Sequence, residues 1–128
     1  MGQYQRNVLV VDDELPVREV LRRFLNQAGY EVNGASNGKE ALELMQQGLL
    51  PDLIVLDLMM PVMSGFEVLS ALRANPSWSK IPVIVLTATM GYTAGRLLVD
   101  ATLQKPFEMV DVQAAIHVAL AAKRDHRP

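Results

Sequence analysis

Five polar side chains share one kind of position, because each follows a short apolar segment. They are Asp12, Asp13, Asp57, Thr87 and Lys105. If the apolar segments are neighbouring parallel strands, three carboxylates, a hydroxyl and an ammonium meet at one edge of a sheet. Carboxylates ~4–5 Å apart repel one another by roughly 3–4 kcal/mol per pair at an effective dielectric of about 20. Lys105 can offset one charge, and a divalent cation with oxygen ligands can offset the rest.

Mg2+ is the cation that suits this cluster best. Proteins commonly hold it with one or two carboxylates, together with waters and a phosphate oxygen. We expect Asp13 and Asp57 to bind Mg2+ directly and Asp12 to act through water. The backbone carbonyl of Met59 is the predicted third protein ligand. The sequence therefore predicts a magnesium site that is completed by a phosphate-bearing group.

Phosphoryl transfer is the reaction that such a cluster supports. A carboxylate oxygen of Asp57 attacks phosphorus, while Lys105 and the cation balance the charge on the equatorial oxygens. The Thr87 hydroxyl and nearby backbone N–H groups complete the predicted cradle. Asp57 is therefore the predicted nucleophile rather than a general base. Each residue alone also has a simpler interpretation, as a helix-terminal acid, a turn acid, a strand threonine or a surface lysine, so the prediction depends on all of them together.

Five short apolar segments alternate with segments of helical periodicity. The apolar segments are residues 8–11, 30–34, 53–56, 83–86 and the weaker 101–103. The first, third and fourth are continuously apolar, which is typical of parallel strands covered on both faces, whereas the second alternates and predicts an edge strand. The order βαβαβαβ(α)βα predicts an α/β fold with a parallel sheet between two helical layers. In such folds the ligand site lies beyond the carboxyl ends of the strands.

Local signals indicate where the helices begin and which faces they bury. Pro16 suits the first turn of a helix with an apolar stripe formed by Val17, Val20, Leu21, Phe24, Leu25 and Ala28. Two further helices begin with residue pairs that have the spacing of an N-cap and its reciprocal acid. These pairs are Asn37 with Glu40 and Ser64 with Glu67. The last helix is predicted to bury Met109, Val112, Ile116, Ala119 and Leu120.

Composition restricts the class of protein. The 128 residues suit one domain, and we expect a single domain over 1–128, with its core at about residues 7–122 and no output domain. The 12 Lys and Arg residues against 14 Asp and Glu residues give a net charge of −2, which disfavours nucleic acid as a partner. The absence of cysteine excludes disulfides and thiol catalysis. No membrane span or export signal is visible, so the expected location is cytoplasmic.

Four motifs after the predicted strands resemble the response-regulator receiver domain of two-component signalling. They are VLVVDDE at residues 8–14, DLMMPVMSG at 57–65, TA at 87–88 and KPF at 105–107. Each motif alone is common, but the four occur in order, and the similarity extends over about residues 7–122. The resemblance implies a flavodoxin-like, doubly wound α/β/α fold with five parallel strands in the order 2-1-3-4-5.

The resemblance also implies a role for each residue of the cluster. Asp57 resembles the acceptor of a phosphoryl group from a histidine kinase or a phosphotransfer protein. Asp12 and Asp13 resemble the magnesium-binding pair. Thr87 is similar to the hydroxyl that turns toward the phosphoryl group, and Lys105 is similar to the lysine that contacts it.

The implied activity is a phosphorylation switch rather than turnover of a metabolite. Its expected partners are a histidine kinase or phosphotransfer protein and a downstream protein target, with no membrane or direct nucleic-acid partner. The protein is expected to be a monomer or a weak dimer. The resemblance further implies a cis peptide bond before Pro106, and it places Met59 and Thr89 at positions that tune the lifetime of the aspartyl phosphate.

The chain departs from the family pattern between residues 87 and 105, which are only 18 positions apart. Gly91 and Gly95 lie in this segment, and each costs a helix roughly 1 kcal/mol relative to alanine. We therefore predict a shortened or irregular fourth helix over residues 90–98. Thr102 occupies the position at which the family normally has an aromatic residue whose rotation accompanies the switch. These differences predict an unusual output surface beside an intact phosphorylation site.

The sequence leaves three other functions open. A receiver-like scaffold would bind partners without being phosphorylated. A small phosphatase of the haloacid dehalogenase type would also use an Asp nucleophile and Mg2+, but it needs an Asp-x-Asp motif and a cap domain. A flavodoxin-like cofactor carrier needs a phosphate loop rich in glycine and hydroxyl groups after the first strand, where this chain is acidic. Transfer of one phosphoryl group to Asp57 distinguishes the switch from the scaffold.

Overall fold

A computed structural model of the chain describes residues 5–88 and 91–125. Five strands form one parallel sheet, and they are β1 (Asn7–Val11), β2 (Glu31–Ala35), β3 (Leu53–Asp57), β4 (Val83–Thr87) and β5 (Ala101–Gln104). Their order is β2-β1-β3-β4-β5, so the predicted parallel sheet and its strand order are confirmed. The alternating second segment is an edge strand, as predicted.

The central strands are buried on both faces of the sheet. In β1, Val8 and Val10 belong to one hydrophobic core, whereas Leu9 and Val11 belong to the other. The same alternation between the two cores occurs along β3 and β4. A parallel strand between two helical layers has no face toward water, and this is why these segments are continuously apolar.

Two helical layers cover the sheet. The helices are α1 (Leu15–Gln27), α2 (Gly38–Gln46), α3 (Gly65–Ala74), α4 (Ala94–Leu97) and α5 (Met109–Asp125). Leu21 and Leu25 of α1 share a core with Val112 and Ile116 of α5, whereas α2 and α3 bury their apolar residues in the opposite core. The three-layer α/β/α architecture is therefore confirmed.

The predicted N-caps are present at α2 and α3. Asn37 Oδ1 accepts a hydrogen bond from the backbone N–H of Glu40 at 2.9 Å. At α3, Ser64 and Glu67 form a reciprocal capping box. The predicted reciprocal bond at α2 is wrong by one residue, because the Glu40 carboxylate accepts a hydrogen bond from the backbone N–H of Ser36 rather than that of the cap residue.

The apolar stripe predicted for α1 is wider than the face that the helix buries. Leu21 and Leu25 are fully buried, but Val20 is 49% exposed. Val20 precedes Leu21 by one residue and therefore lies about 100° around the helix from it. The prediction that Val20 contributes to the core is wrong, because the sheet covers a narrower arc of the helix.

The fourth helix has four residues, so the predicted shortening is confirmed. The segment around it packs against α3 through aromatic side chains. The rings of Phe66 and Tyr92 have centroids 5.4 Å apart and planes inclined at 59°. Thr89, at a predicted lifetime-tuning position, and Met90, the first residue of the predicted irregular segment, lie outside the described residues.

Arg73 of α3 joins the segment after α4 to the loop before β4. Its guanidinium donates hydrogen bonds to the carbonyl oxygens of Ser79 at 3.0 Å and Leu98 at 3.1 Å. The segment that replaces a full fourth helix is therefore connected to α3.

Thr102 lies in β5 opposite Val85 of β4. Its hydroxyl oxygen is buried and makes no hydrogen bond within the part of the chain that the structure describes.

Tyr92→Ala is expected to lower the free energy of unfolding by about 1–2 kcal/mol, because it removes the packing of a half-buried ring and its contact with Phe66. Tyr92→Phe keeps the ring and should stay close to wild type. Urea denaturation of the three proteins measures the difference. Equal stability of the alanine variant and wild type would show that the aromatic pair does not hold this segment.

Candidate functional site

The sheet topology brings the predicted site residues together. Asp12 follows β1, Asp57 is the last residue of β3, and Thr87 is the last residue of β4. These three strands are adjacent, so their carboxyl ends form one continuous edge. All three side chains belong to buried residues, with exposed fractions of 1%, 4% and 1% respectively. Buried polar groups at a strand edge indicate a site rather than a solvated surface.

Three carboxylates converge at this edge, as predicted. One oxygen from each of Asp12, Asp13 and Asp57 lies within 4.8 Å of the others. Asp12 Oδ1 accepts a hydrogen bond from the backbone N–H of Glu14 at 2.9 Å, and Asp57 Oδ1 accepts one from the backbone N–H of Met59 at 3.2 Å. Oxygen donors at this spacing suit a hard divalent cation such as Mg2+.

Lys105 reaches the same cluster from the loop after β5. Its Nζ lies 2.8 Å from Asp12 Oδ2, 3.1 Å from Glu14 Oε2 and 3.5 Å from Asp57 Oδ2. The Lys105 backbone N–H donates to the carbonyl oxygen of Thr87 at 2.8 Å, which fixes this loop to the end of β4. The peptide bond that follows Lys105 is cis, as the resemblance implied.

The charges of the cluster perturb one another. Burial raises the pKa of Asp57, and the charge of Asp12 raises it further, so that the value lies at about 6 rather than 3.8 despite the opposing effects of Lys105 and the Met59 N–H. Burial lowers the pKa of Lys105, but the hydrogen bond that its ammonium donates to Asp12 and the neighbouring carboxylate charges outweigh burial and raise the pKa above its usual range. Lys105 is therefore a cation at neutral pH, surrounded by an excess of negative charge.

Glu14 belongs to the site, although it was not among the predicted site residues. Its carboxylate is a partner of Lys105, although the two residues are 91 positions apart in the chain. Glu14 belongs to the acidic segment after β1, but no sequence pattern indicates which distant side chain its carboxylate contacts. Met59, by contrast, is present at the site through its backbone, and its side chain is exposed.

The backbone at the end of β3 leaves no room for a side chain at Gly65, where α3 begins. A Cβ atom there would overlap the carbonyl oxygen of Asp57 and would lie 2.6 Å from the Cα of Leu58. The Gly65 N–H donates to the carbonyl oxygen of Leu58 at 2.8 Å. Glycine is therefore required here for the start of α3 to lie directly against the strand end that carries Asp57.

The β3–α3 loop also contacts α2 and strains its own backbone. A Cβ atom at Gly38 would overlap Val68 and would lie 3.0 Å from the carbonyl oxygen of Met63. On the outer side of the loop, Val62 has a φ of 71°, in the left-handed region. That conformation costs a residue with a Cβ about 1–2 kcal/mol. The Val62 side chain itself is exposed, so no buried packing of this side chain offsets the unfavourable backbone conformation.

The family of the chain follows from a comparison with known domains. A profile of the response regulator receiver domain matches residues 8–117. The chain belongs to this family. The recognition made from the four motifs is therefore confirmed, and the strand-end cluster occupies the carboxyl edge of a receiver domain.

Relatives of this receiver domain include longer regulators. Response regulator MprA of Mycolicibacterium vanbaalenii is 41% identical over 120 residues, which are 88% of this chain and 49% of that protein. Probable transcriptional regulator ycf27 of Cyanophora paradoxa is 40% identical over 121 residues, which are 91% of this chain and 48% of that protein. The chain spans about half the length of the curated relatives it matches.

Solved structures include receiver domains with the same fold. Chemotaxis protein CheY4 of Vibrio cholerae has a TM-score of 0.83 and 31% identity, with 91% of this chain and 99% of that chain covered. Response regulator TrrA of Thermotoga maritima, solved in complex with Mg2+ and BeF, has a TM-score of 0.79 and 33% identity, with 90% of this chain and 99% of that chain covered.

Among the described residues of this receiver domain, no helix is long and apolar enough to cross a membrane.

Gly65→Ala is expected to destabilise the receiver domain by about 2–3 kcal/mol, because the added methyl group overlaps the backbone at Asp57. Gly95→Ala is the matched control, since a Cβ atom there meets no atom within 4 Å and removal of a helix glycine is neutral or slightly stabilising. Urea denaturation compares the two variants with wild type. Equal effects of the two substitutions would contradict the proposed close contact.

Asp57→Asn is expected to stabilise the metal-free protein near neutral pH. The pKa of Asp57 in the folded state is raised from 3.8 to about 6, so ionised Asp57 disfavours folding above about pH 6. This penalty disappears as the pH falls from about 6 toward 3.8, because the carboxylate is then protonated in the folded protein. In EDTA at about pH 7.5, the variant should be more stable by on the order of 1–3 kcal/mol, with a smaller difference at about pH 4. Denaturant unfolding at several pH values measures this. A variant less stable than wild type at neutral pH contradicts it.

Proposed function

We propose that Asp57 accepts a phosphoryl group from the phosphohistidine of a histidine kinase or a phosphotransfer protein, and that this changes the conformation of the domain. The observation that carries the proposal is the arrangement around Asp57, a buried carboxylate at the strand edge with Asp12, Asp13 and Lys105 as neighbours. An Asp57 oxygen forms a bond to phosphorus as the bond between phosphorus and the donor's imidazole nitrogen breaks. The imidazole leaves with the electron pair of that bond.

Asp12, Asp13 and Asp57 would hold Mg2+ in this receiver domain. Both oxygens of Asp12 already accept hydrogen bonds, from the Glu14 N–H and from Lys105, which supports the assignment of Asp12 to a contact through water. Asp13 is exposed and supplies a direct ligand together with Asp57, and we assign the Met59 carbonyl as the third. When bound, the cation offsets negative charge on the phosphoryl oxygens and the carboxylates.

Two further side chains would contact the transferred group. Lys105 lies close enough to Asp57 to place its ammonium against a phosphoryl oxygen after a small movement. Thr87 ends the strand next to β3, so we assign its hydroxyl as the donor that turns toward the phosphoryl group. The charge of Lys105 stabilises the phosphoryl oxygens, and the buried position of Asp57 limits the access of water.

The partners follow from this reaction. A phosphohistidine-bearing protein supplies the phosphoryl group, and a downstream protein recognises the altered surface. The described residues form one domain, in keeping with a single receiver unit in a cytoplasmic pathway. Membership in the receiver family favours this signalling role over the phosphatase and the cofactor carrier. A scaffold that is not phosphorylated is the second candidate, and the reduction of α4 to four residues favours it.

Incubation with acetyl phosphate and Mg2+ tests the proposal. Intact-mass measurement should detect one added phosphoryl group, which Asp57→Asn should lose, because the acceptor oxygen is replaced by an amide. Asp111→Asn, at an exposed position of α5, makes the same chemical change away from the site and should retain the group. EDTA should suppress the reaction.

A protein that gains no mass at any Mg2+ concentration is the outcome expected of the scaffold. Phosphorylation that persists in Asp57→Asn would assign the acceptor to another residue. Either result contradicts the proposed function.

A further inference from the structure

We propose that Glu14 is a positioning residue that competes with the phosphoryl group for Lys105. This inference rests on the proposed function of Asp57 and concerns how strongly the site holds the group once it has arrived. The observation behind it is that Glu14 Oε2 lies 3.1 Å from Lys105 Nζ, closer than Asp57 Oδ2 at 3.5 Å.

The Lys105 ammonium has no unused donor. It carries three N–H groups, and three carboxylates lie within hydrogen-bond distance of Nζ, those of Asp12, Glu14 and Asp57. Transfer of the phosphoryl group to Asp57 removes the charge of one of these carboxylates and frees the longest of the three contacts, at 3.5 Å. A second hydrogen bond from Lys105 to the phosphoryl group then requires the release of Asp12 or Glu14.

Glu14 is the partner that Lys105 releases at least cost. The Asp12 side chain is 1% exposed and has the shortest contact, so its release would leave a buried charge without compensation. The Glu14 side chain is 56% exposed, and water can replace the ammonium there. Glu14 and Lys105 also line one open groove of about 580 Å3, which gives solvent access to the pair.

The Glu14 carboxylate contacts Lys105 rather than the first turn of α1. Glu14 occupies the N-cap position, but its carboxylate makes no capping hydrogen bond. Removal of the carboxylate therefore leaves the helix start intact and acts on Lys105. Without Glu14, a second N–H of Lys105 is available to the phosphoryl group, so the group is bound more tightly.

Binding of beryllium fluoride at saturating Mg2+ tests this inference, because it is an equilibrium measurement on a stable phosphoryl analogue. Glu14→Gln removes the charge that holds Lys105, and Glu14→Asp keeps the charge but withdraws the carboxylate by one methylene group. Both variants should bind beryllium fluoride about two- to fivefold more tightly than wild type, as expected from the strength of an exposed ion pair. Glu43→Gln, on the exposed side of α2, is the charge-matched control and should bind like wild type. 19F NMR titration gives the affinities.

The outcomes separate this inference from the proposed function. Unchanged or weaker binding in both Glu14 variants overturns the positioning role. Tighter binding in Glu14→Gln but not in Glu14→Asp also overturns it, because local charge rather than the contact with Lys105 would then be responsible. A wild-type protein that binds no beryllium fluoride and gains no phosphoryl group overturns the proposed function itself.

Discussion

One ammonium group among four carboxylates is the interaction on which the site depends. Lys105 follows β5, whereas Asp12 follows β1, and two strands separate them in the sheet. With a spacing of ~4.8 Å between strands, the two backbones are about 14 Å apart. The loop after β5 must therefore lean across the sheet edge, and the hydrogen bond between the Lys105 N–H and the Thr87 carbonyl holds it there. The position of β5 thereby controls the charge balance around Asp57.

The sequence allowed the convergence of the site to be predicted because parallel strands end at one edge. A continuous apolar segment precedes each of Asp12, Asp57 and Thr87. In an open α/β sheet, the ligand site lies at the carboxyl ends of such strands, so the three side chains are expected together. The partner of Glu14 could not be predicted in this way, since it depends on the path of a loop 91 residues further along the chain. The exposure of Val20 was missed for a similar reason, because periodicity defines an apolar face but not the width of the sheet against it.

The altered fourth helix shows the same division between local and long-range information. Glycines within a short segment were sufficient to predict that a full helix does not form. The contacts that replace it join Tyr92 to Phe66 and Arg73 to Leu98, and all of them cross between separate elements. Loss of the helix has therefore not left the segment without tertiary contacts. The buried hydroxyl of Thr102 lies on the adjacent strand β5, at the position where the resemblance to the family implied an aromatic residue.

The β3–α3 loop is closed on one side and open on the other. At Gly38, α2 lies so close to Met63 of this loop and to α3 that a methyl group has no room. At Gly65, the start of α3 lies equally close to the end of β3. Val62 projects outward from the same loop in a conformation that a glycine would adopt without cost. A substitution on the outer surface of this loop, as at Val62, therefore changes the surface that another protein would contact and leaves the Asp57 carboxylate beneath it in place.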